Sequence, residues 1–378
     1  MRLALVHDYL TQTGGAEKVL SAFYQEFPEA PIYTLVYNPK RFISLGDRDV
    51  HTSFIQRLPG GIKHYQWFLP LMPWATERLD LRGYDIVLSS ASAFAKGVVT
   101  GDHTLHICYC HTPTRYLWSD AHSYVEELPY PNVIKKMIPA ILVRLRMWDF
   151  IAAQRPDILI ANSENVRRRI GKYYRRDSKV LHPPVNIDSF SPVNDIGRYY
   201  LTGGRLVSYK HFEIVIEAFN RLRMPLKIFG EGPAQTRLMS LAKPNVEFLG
   251  YCSREKLADA YARCVAFIQP QEEDFGITAI EAMASGRPVI ALGAGGALEA
   301  VQPGKTGVFF EEQSWEALAD TVVRFAPKDF EAAAIRSHAE LFSETAFRQK
   351  IRKIIDESWI DHCASRSATG IANTNPAI

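Results

Sequence analysis

Little in this chain invites a disulfide, a metal or a membrane span. Its 378 residues hold five cysteines, Cys108, Cys110, Cys252, Cys264 and Cys363, too few and too poorly spaced for a disulfide framework. Cys108-Tyr109-Cys110 is not a C-x-x-C pair, so reduced thiols and a cytoplasmic setting are expected. The eleven histidines show no H-E-x-x-H or comparable ligand spacing, and no metal or other cofactor is expected. Asp47-Arg48-Asp49 has the D-x-D pattern, but it falls in a predicted loop far from the other motifs and reads as surface. No run of about eighteen uncharged apolar residues exists, so no transmembrane helix is expected. The apolar part of Met1-Arg2-Leu3-Ala4-Leu5-Val6-His7-Asp8 is too short for a signal peptide and reads as a buried first strand. The formal net charge is only +3, and no nucleic-acid partner is expected.

What is present is an ordinary globular composition, 47% hydrophobic and 22% charged, in a chain long enough for two domains. Short apolar strands alternate with helical stretches. In the first half they are Leu3–Val6, Ile32–Val36, Ile86–Ser89, His106–Tyr109, Ile158–Ala161 and Lys179–Leu181. In the second half they are Tyr199–Thr202, Leu226–Phe229, Val246–Phe248, Ala266–Gln269, Val289–Ala291 and Val308–Phe310. Two βαβ series in tandem predict an α/β protein of two doubly wound, Rossmann-like domains. The Pro-rich stretch from His182 to Pro192 is the expected joint, giving domains of residues 1–190 and 195–340. A last helix covers residues 345–360. The small, polar stretch 364–378 reads as a mobile tail.

The positive charges are clustered. Arg167, Arg168, Arg169, Lys172, Arg175, Arg176 and Lys179 fall within thirteen residues, with Asp177 the only acid among them. Upstream, Lys135, Lys136, Arg144 and Arg146 are mixed with Met137, Ile138, Ile141, Leu142, Leu145 and Trp148. Two readings stand: a basic amphipathic helix lying on an anionic membrane surface, or a core helix with solvated basic ends.

The densest chemistry lies between Gln269 and Gly286. Glu273 hangs in a polar loop past a strand's carboxyl end, and Glu281, eight residues on, sits inside the helix predicted over Gly276–Ala284. In open α/β sheets ligands bind at that edge, and the helix start offers unpaired N–H groups to an anion. Paired carboxylates there can accept hydrogen bonds from a polyol. Arg205 and Lys210 follow a strand and the turn Gly203-Gly204. Their spacing lets both reach one anion, such as a leaving diphosphate. Gly14 and Gly15 follow the first strand, where backbone must approach a phosphate. Glu17 behind them also suits a helix dipole. His111 follows another strand end.

These segments resemble the Glu-x7-Glu motif and its companions in retaining GT-B glycosyltransferases, most closely family 4. The ordered set is Gly14-Gly15-Ala16-Glu17, Gly203-Gly204-Arg205 to Lys210, Glu273 to Glu281, and Gly293-Ala294-Gly295-Gly296. The resemblance covers Met1 to about Trp359. It implies a cleft between the domains and a final helix crossing back to the first domain. The first domain would bind the acceptor and the second the nucleotide sugar. It implies that Arg205 and Lys210 neutralise the diphosphate, that Glu273 and His111 meet the transferred sugar, and that Glu281 binds the ribose diol. Asp274, Phe275, Gly276 and Ile277 would present backbone N–H groups to the hexose, with Gly14, Gly15 and Gly204 near the donor. Asp8, Arg115 and Trp118 are the candidate acceptor contacts. The segments Val6 to Leu10 and Cys110 to Trp118 are similar to bacterial mannosyltransferases of O-antigen and exopolysaccharide assembly. These use GDP-mannose and a lipid-diphosphate-linked acceptor, and a lipid-linked or oligosaccharide acceptor is expected here. The two basic clusters predict peripheral contact of the first domain with the cytoplasmic face of the inner membrane. A UDP- or dTDP-sugar donor and a sugar-nucleotide epimerase are the alternatives kept open. A nicotinamide dehydrogenase would need G-x-G-x-x-G after the first strand, which Gly14-Gly15-Ala16-Glu17-Lys18 does not supply.

Overall fold

Apolar runs bounded by Gly, Pro and Asp become parallel strands buried on both faces. The structure, a computed structural model, describes residues 1–12, 14–40, 45, 48–121, 125 and 131–368. The chain divides into two compact units. One is Met1–Leu181 joined by the segment from Phe347, and the other is His182–Ala346.

In the first unit the strands are β1 (Leu3–Leu10), β2 (Ile32–Tyr37), β3 (Val50–Thr52), β4 (Ile86–Ala91), β5 (Leu105–Cys110), β6 (Ile158–Ala161) and β7 (Lys179–Val180). They form a parallel sheet in the order β3-β2-β1-β4-β5-β6-β7. In the second unit they are β8 (Tyr200–Gly203), β9 (Leu226–Phe229), β10 (Val246–Gly250), β11 (Phe267–Gln269), β12 (Val289–Leu292) and β13 (Gly307–Phe310). Their order is β10-β9-β8-β11-β12-β13, again all parallel. Both sheets follow the doubly wound order, so each has a switch point where the winding reverses: β1 beside β4, and β8 beside β11. Strand β3 was not anticipated. It is three residues long, on the sheet edge and partly exposed, and so has no apolar run to betray it.

The helices of eight residues or more are α1 (Gly15–Glu26), α2 (Asn132–Ala152), α3 (Glu164–Tyr174), α4 (Phe212–Leu222), α5 (Arg254–Arg263), α6 (Ile277–Ala284), α7 (Trp315–Arg324), α8 (Ala332–Glu340) and α9 (Glu344–Ala368). Helix α9 returns to the first unit. Phe347, Ile351 and Ile355, spaced four apart on one face, are buried in a core with Phe23 of α1 and Tyr109 of β5. Burial of each contributes about 1.5–3 kcal/mol. Arg348 and Arg352 donate to the Glu26 carboxylate at 2.9 and 2.8 Å. Burial would raise the pKa of Glu26, but the two guanidiniums outweigh it and hold it below the usual range.

Two boundaries differ from expectation. The stretch from His182 to Phe190 belongs to the second unit, because Val185, Ile187 and Phe190 are buried in that unit's core and Val185 N–H donates to Phe342 O at 2.9 Å. The expected tail begins inside α9, which runs to Ala368 and is tied by Arg366 to the Asp102 carbonyl at 2.6 Å. The rest of that tail lies outside the described residues. All five cysteines are free thiols.

Candidate functional site

At the β8/β11 switch point the chain turns through Gly203 at φ 157°, where an added Cβ would stand 2.4 Å from Phe229 O. This tight turn delivers Gly204 and Arg205 to the strand's carboxyl edge. A 3-10 turn, Ser208–Lys210, then places Lys210. Arg205 is exposed and makes no hydrogen bond or ion pair among the described residues. Lys210 Nζ lies 2.9 Å from Glu273 Oε1, in a pair that is mostly shielded from solvent. Gln271 Nε2 donates to the same oxygen at 2.7 Å. One cation is thus unspent, and the other is held on the carboxylate expected to meet the sugar.

Helix α6 starts behind this loop at Gly276, with no side-chain cap on its first N–H groups. Glu281 sits on α6, buried, and accepts from the Tyr261 hydroxyl at 3.2 Å. The Gly293-to-Gly296 motif explains how the Glu273 loop is seated. An added Cβ at Gly296 would come within 2.3 Å of Phe275 Cα, and Gly296 N–H donates to Glu273 O at 2.8 Å. The Phe275 ring is core, stacked on His182 at 5.0 Å, so only its backbone can serve a ligand. Asp274 and Ile277 are partly exposed on the same loop and helix start. Sequence reading missed Gln269, whose buried side-chain amide has no hydrogen-bond partner among the described residues.

In the first unit, the β1/β4 switch point carries Gly14 as the uncapped N-terminal residue of α1, with Gly15 opening the helix. Glu17 folds inward, its carboxylate 3.8 Å from His7 Nε2. His111 leaves β5 with its N–H on Ala91 O at 2.9 Å and its Nε2 2.8 Å from Ser90 Oγ. Burial first, and His7 second, push the His111 pKa down to about 3, so the ring is neutral.

One expectation for the acceptor side is corrected. Asp8 is no acceptor contact. Its two carboxylate oxygens accept the N–H groups of Ser92, Ala93, Phe94 and Ala95 at 2.6–2.8 Å, which fixes the turn after β4. Trp118 keeps its single donor on Asp149 at 2.7 Å and packs its ring on Tyr173, while its side chain stays partly exposed. Arg115 is partly exposed and paired with Asp120 at 2.8 Å. The D-x-D triplet is only partly described, since Asp47 lies outside the described residues. Arg48 covers the Tyr24 ring and Asp49 pairs with His51. The described residues hold no group of three potential ligands able to take a metal.

Sequence reading also missed a buried ion pair. Lys96 Nζ is 2.6 Å from Asp149 Oδ1, each side chain 1% exposed. Asp149 further accepts from Thr114 Oγ1 and the Tyr174 hydroxyl, both at 2.8 Å. This network braces the segment from His111 to Trp118 from beneath.

Residues 13–189 match Glycosyltransferase Family 4 and residues 186–340 match Glycosyl transferases group 1. The fold is that of the GT-B glycosyltransferases, with a family 4 match in its first half and a group 1 match in its second. Solved structures with this fold include a sucrose-phosphate synthase from Thermosynechococcus elongatus. It has a TM-score of 0.72 and 17% identity, over 95% of this chain and 100% of that one. Anabaena HepE in complex with UDP-glucose gives a TM-score of 0.69 at 18% identity, over 94% of this chain and 100% of that one. Among curated relatives, the mannosylfructose-phosphate synthase of Agrobacterium fabrum is 26% identical over 58% of this chain and 56% of its own. A GDP-mannose-dependent alpha-mannosyltransferase of Mycolicibacterium smegmatis is 37% identical over 32% of each chain. The matches span about half the length of the first of these curated relatives, as with the 49% covered in a mycobacterial D-inositol 3-phosphate glycosyltransferase.

Proposed function

We propose that this chain transfers a hexose, with retention of configuration, from a nucleotide diphosphate sugar to a saccharide or lipid-diphosphate-linked acceptor. One observation carries the reading: the unpaired Arg205 beside the Lys210–Glu273 pair at the β8/β11 switch point. Arg205 and Lys210 neutralise the leaving diphosphate and make a metal unnecessary. Glu273 accepts from the sugar hydroxyls, Glu281 from the ribose diol, and the uncapped start of α6 takes phosphate oxygens. Gly14 and Gly15 let the β1/β4 turn approach the donor. The chemistry is front-face departure and attack: the anomeric C–O bond breaks, the acceptor oxygen bonds on the same face, and its proton goes to the leaving phosphate oxygen. Asp8 supports this reading, because a carboxylate that already holds four N–H groups is not placed to act as an inverting base.

GDP-mannose is the donor favoured, on the sequence resemblance and the mannosyltransferase relative. The test is a nucleotide-release screen with GDP-mannose, UDP-glucose, UDP-GlcNAc and dTDP-rhamnose, repeated with a chelator. GDP release from GDP-mannose, unchanged by the chelator, is expected, with an α-linked product by NMR. A β-linked product, or a rate abolished by chelation and restored by Mn²⁺, overturns the mechanism; turnover of a UDP or dTDP sugar alone overturns the donor.

The acceptor points to a working place on the cytoplasmic face of a membrane. No helix among the described residues is long and apolar enough to cross one. Peripheral contact is supported by α2, which exposes Met137, Val143, Met147 and Ile151 beside Lys136 and Arg144. The stretch 65–74, which shares a core with α2, exposes Trp67, Leu71 and Trp74. Parts of the basic clusters have other work. Arg146 donates to Leu117 O, and Arg176 caps carbonyls from Ala153 to Asp157. Each surface cation adds about 1 kcal/mol on anionic lipid. In vesicle flotation, Lys136→Glu with Arg144→Glu should strongly reduce binding to anionic vesicles. Flotation indifferent to anionic lipid rejects this contact.

A further inference from the structure

Four buried polar groups from four elements form a chain behind the first unit's switch point. Glu17 Oε1 on α1 is 3.8 Å from His7 Nε2 on β1. His7 Nδ1 is 3.1 Å from Ser90 Oγ on β4, and Ser90 Oγ is 2.8 Å from His111 Nε2 past β5. Exposure is 3% for His7, 6% for Glu17, zero for Ser90 and 9% for His111. We propose that Ser90, backed by His7 and Glu17, is a positioning residue that fixes the tautomer of His111 so that its Nδ1 meets the substrate as a hydrogen-bond acceptor.

A serine hydroxyl carries one proton and can accept others. Placed between two ring nitrogens, it donates to one and accepts an N–H from the other. The tautomers of His7 and His111 are therefore linked through Ser90. The Glu17 carboxylate lies on the Nε2 side of His7 and favours a proton there. His7 Nδ1 is then bare and takes the Ser90 proton. Ser90 Oγ in turn accepts the Nε2–H of His111, which leaves His111 Nδ1 with its lone pair. Among the described residues that nitrogen has no hydrogen-bond partner. The Tyr109 ring, edge-on at 5.1 Å, holds the imidazole plane. Burial keeps His111 neutral, so it orients a sugar hydroxyl and does not protonate one. A like arrangement in which His7 carries two protons would reverse every bond and turn His111 Nδ1 into a donor. Glu17 and Ser90 together therefore choose how the substrate is read.

This proposal rests on His111 facing the transferred sugar, and the test separates the two. Full-length protein labelled with 15N-histidine is examined by NMR at alkaline pH. His111 is assigned by His111→Gln. Wild type should show His111 with Nε2 protonated and Nδ1 bare. Ser90→Ala should lose the single tautomer and lower kcat about tenfold to a hundredfold, the scale of an orphaned buried group, with little change in KM for the donor. Ser90→Thr should restore both, and His7→Phe should again mix the tautomers. Near-UV circular dichroism confirms folding of each variant. An Nδ1-protonated His111 in wild type, or a Ser90→Ala protein with unchanged tautomer, overturns the relay whatever the activity. A fixed tautomer that Ser90→Ala abolishes while kcat stays at the wild-type value upholds the relay and overturns the placement of His111 at the sugar.

Discussion

Lys210→Ala is expected to lower turnover by about two to three orders of magnitude, the usual result of deleting one charge-stabilising group aimed at developing charge. The reason is local. On the proposed reading a departing nucleoside diphosphate gathers negative charge at the β8 edge, where the Gly203-Gly204 turn delivers Lys210 and Arg205. Lys210 also neutralises Glu273 at 2.9 Å, so its loss leaves a bare carboxylate beside the phosphate. The variant should therefore suffer in donor KM as well as in kcat. Arg205→Ala, with no partner to orphan, should lose kcat by a similar factor with a smaller change in KM. The double variant should lose less than the product of the two, because both serve one diphosphate. Nucleotide release under saturating donor measures this, and a double variant near wild-type rate would refute the assignment.

Lys96→Met should destabilise the first unit by about 3–5 kcal/mol, the range for breaking one side of a buried ion pair. Burial alone would lower the Lys96 pKa, but the Asp149 carboxylate at 2.6 Å outweighs it and raises the pKa. Without the ammonium, Asp149 is left as a buried anion supported by the Thr114 and Tyr174 hydroxyls and the Trp118 indole N–H. Asp149→Leu should cost as much, since it strands Lys96 and those three donors together. The double variant removes both charges but not the stranded donors, so it should recover only part of the loss. Urea denaturation of the four proteins gives the coupling. Single losses under about 1 kcal/mol would show the pair to be idle.

The strands were legible because sheets covered on both faces need continuous apolar runs, and Ile158–Ala161 and Leu226–Phe229 match expectation residue for residue. The expected first strand stopped at Val6 because His7 and Asp8 look like a polar end. They continue it because Ser90, Glu17 and four backbone N–H groups satisfy them, and all but Glu17 lie more than eighty residues away in sequence. Separation in sequence, though shorter, also hid the Lys96–Asp149 pair. The motifs at the β8/β11 edge were legible for the opposite reason. Glycine turns, loop carboxylates and helix starts are local, and their chemistry travels with their spacing. The Gly293-to-Gly296 motif was seen, but its work as a seat for the Phe275 backbone depends on a contact across β11 and β12 that spacing does not display.

The return of α9 has a bearing on how the chain is made. Phe347, Ile351 and Ile355 are synthesised after both sheets, yet they cover Phe23 and Tyr109 in the core of the first. A ribosome that has released residues 1–181 has exposed a sheet whose apolar face lacks its lid. The second unit is continuous in sequence and can close first. The early half must then wait, sticky, through the translation of well over a hundred further residues. Chaperone dependence and aggregation on truncation should thus track the late helix, since a segment made after both sheets seals the core of the earlier one.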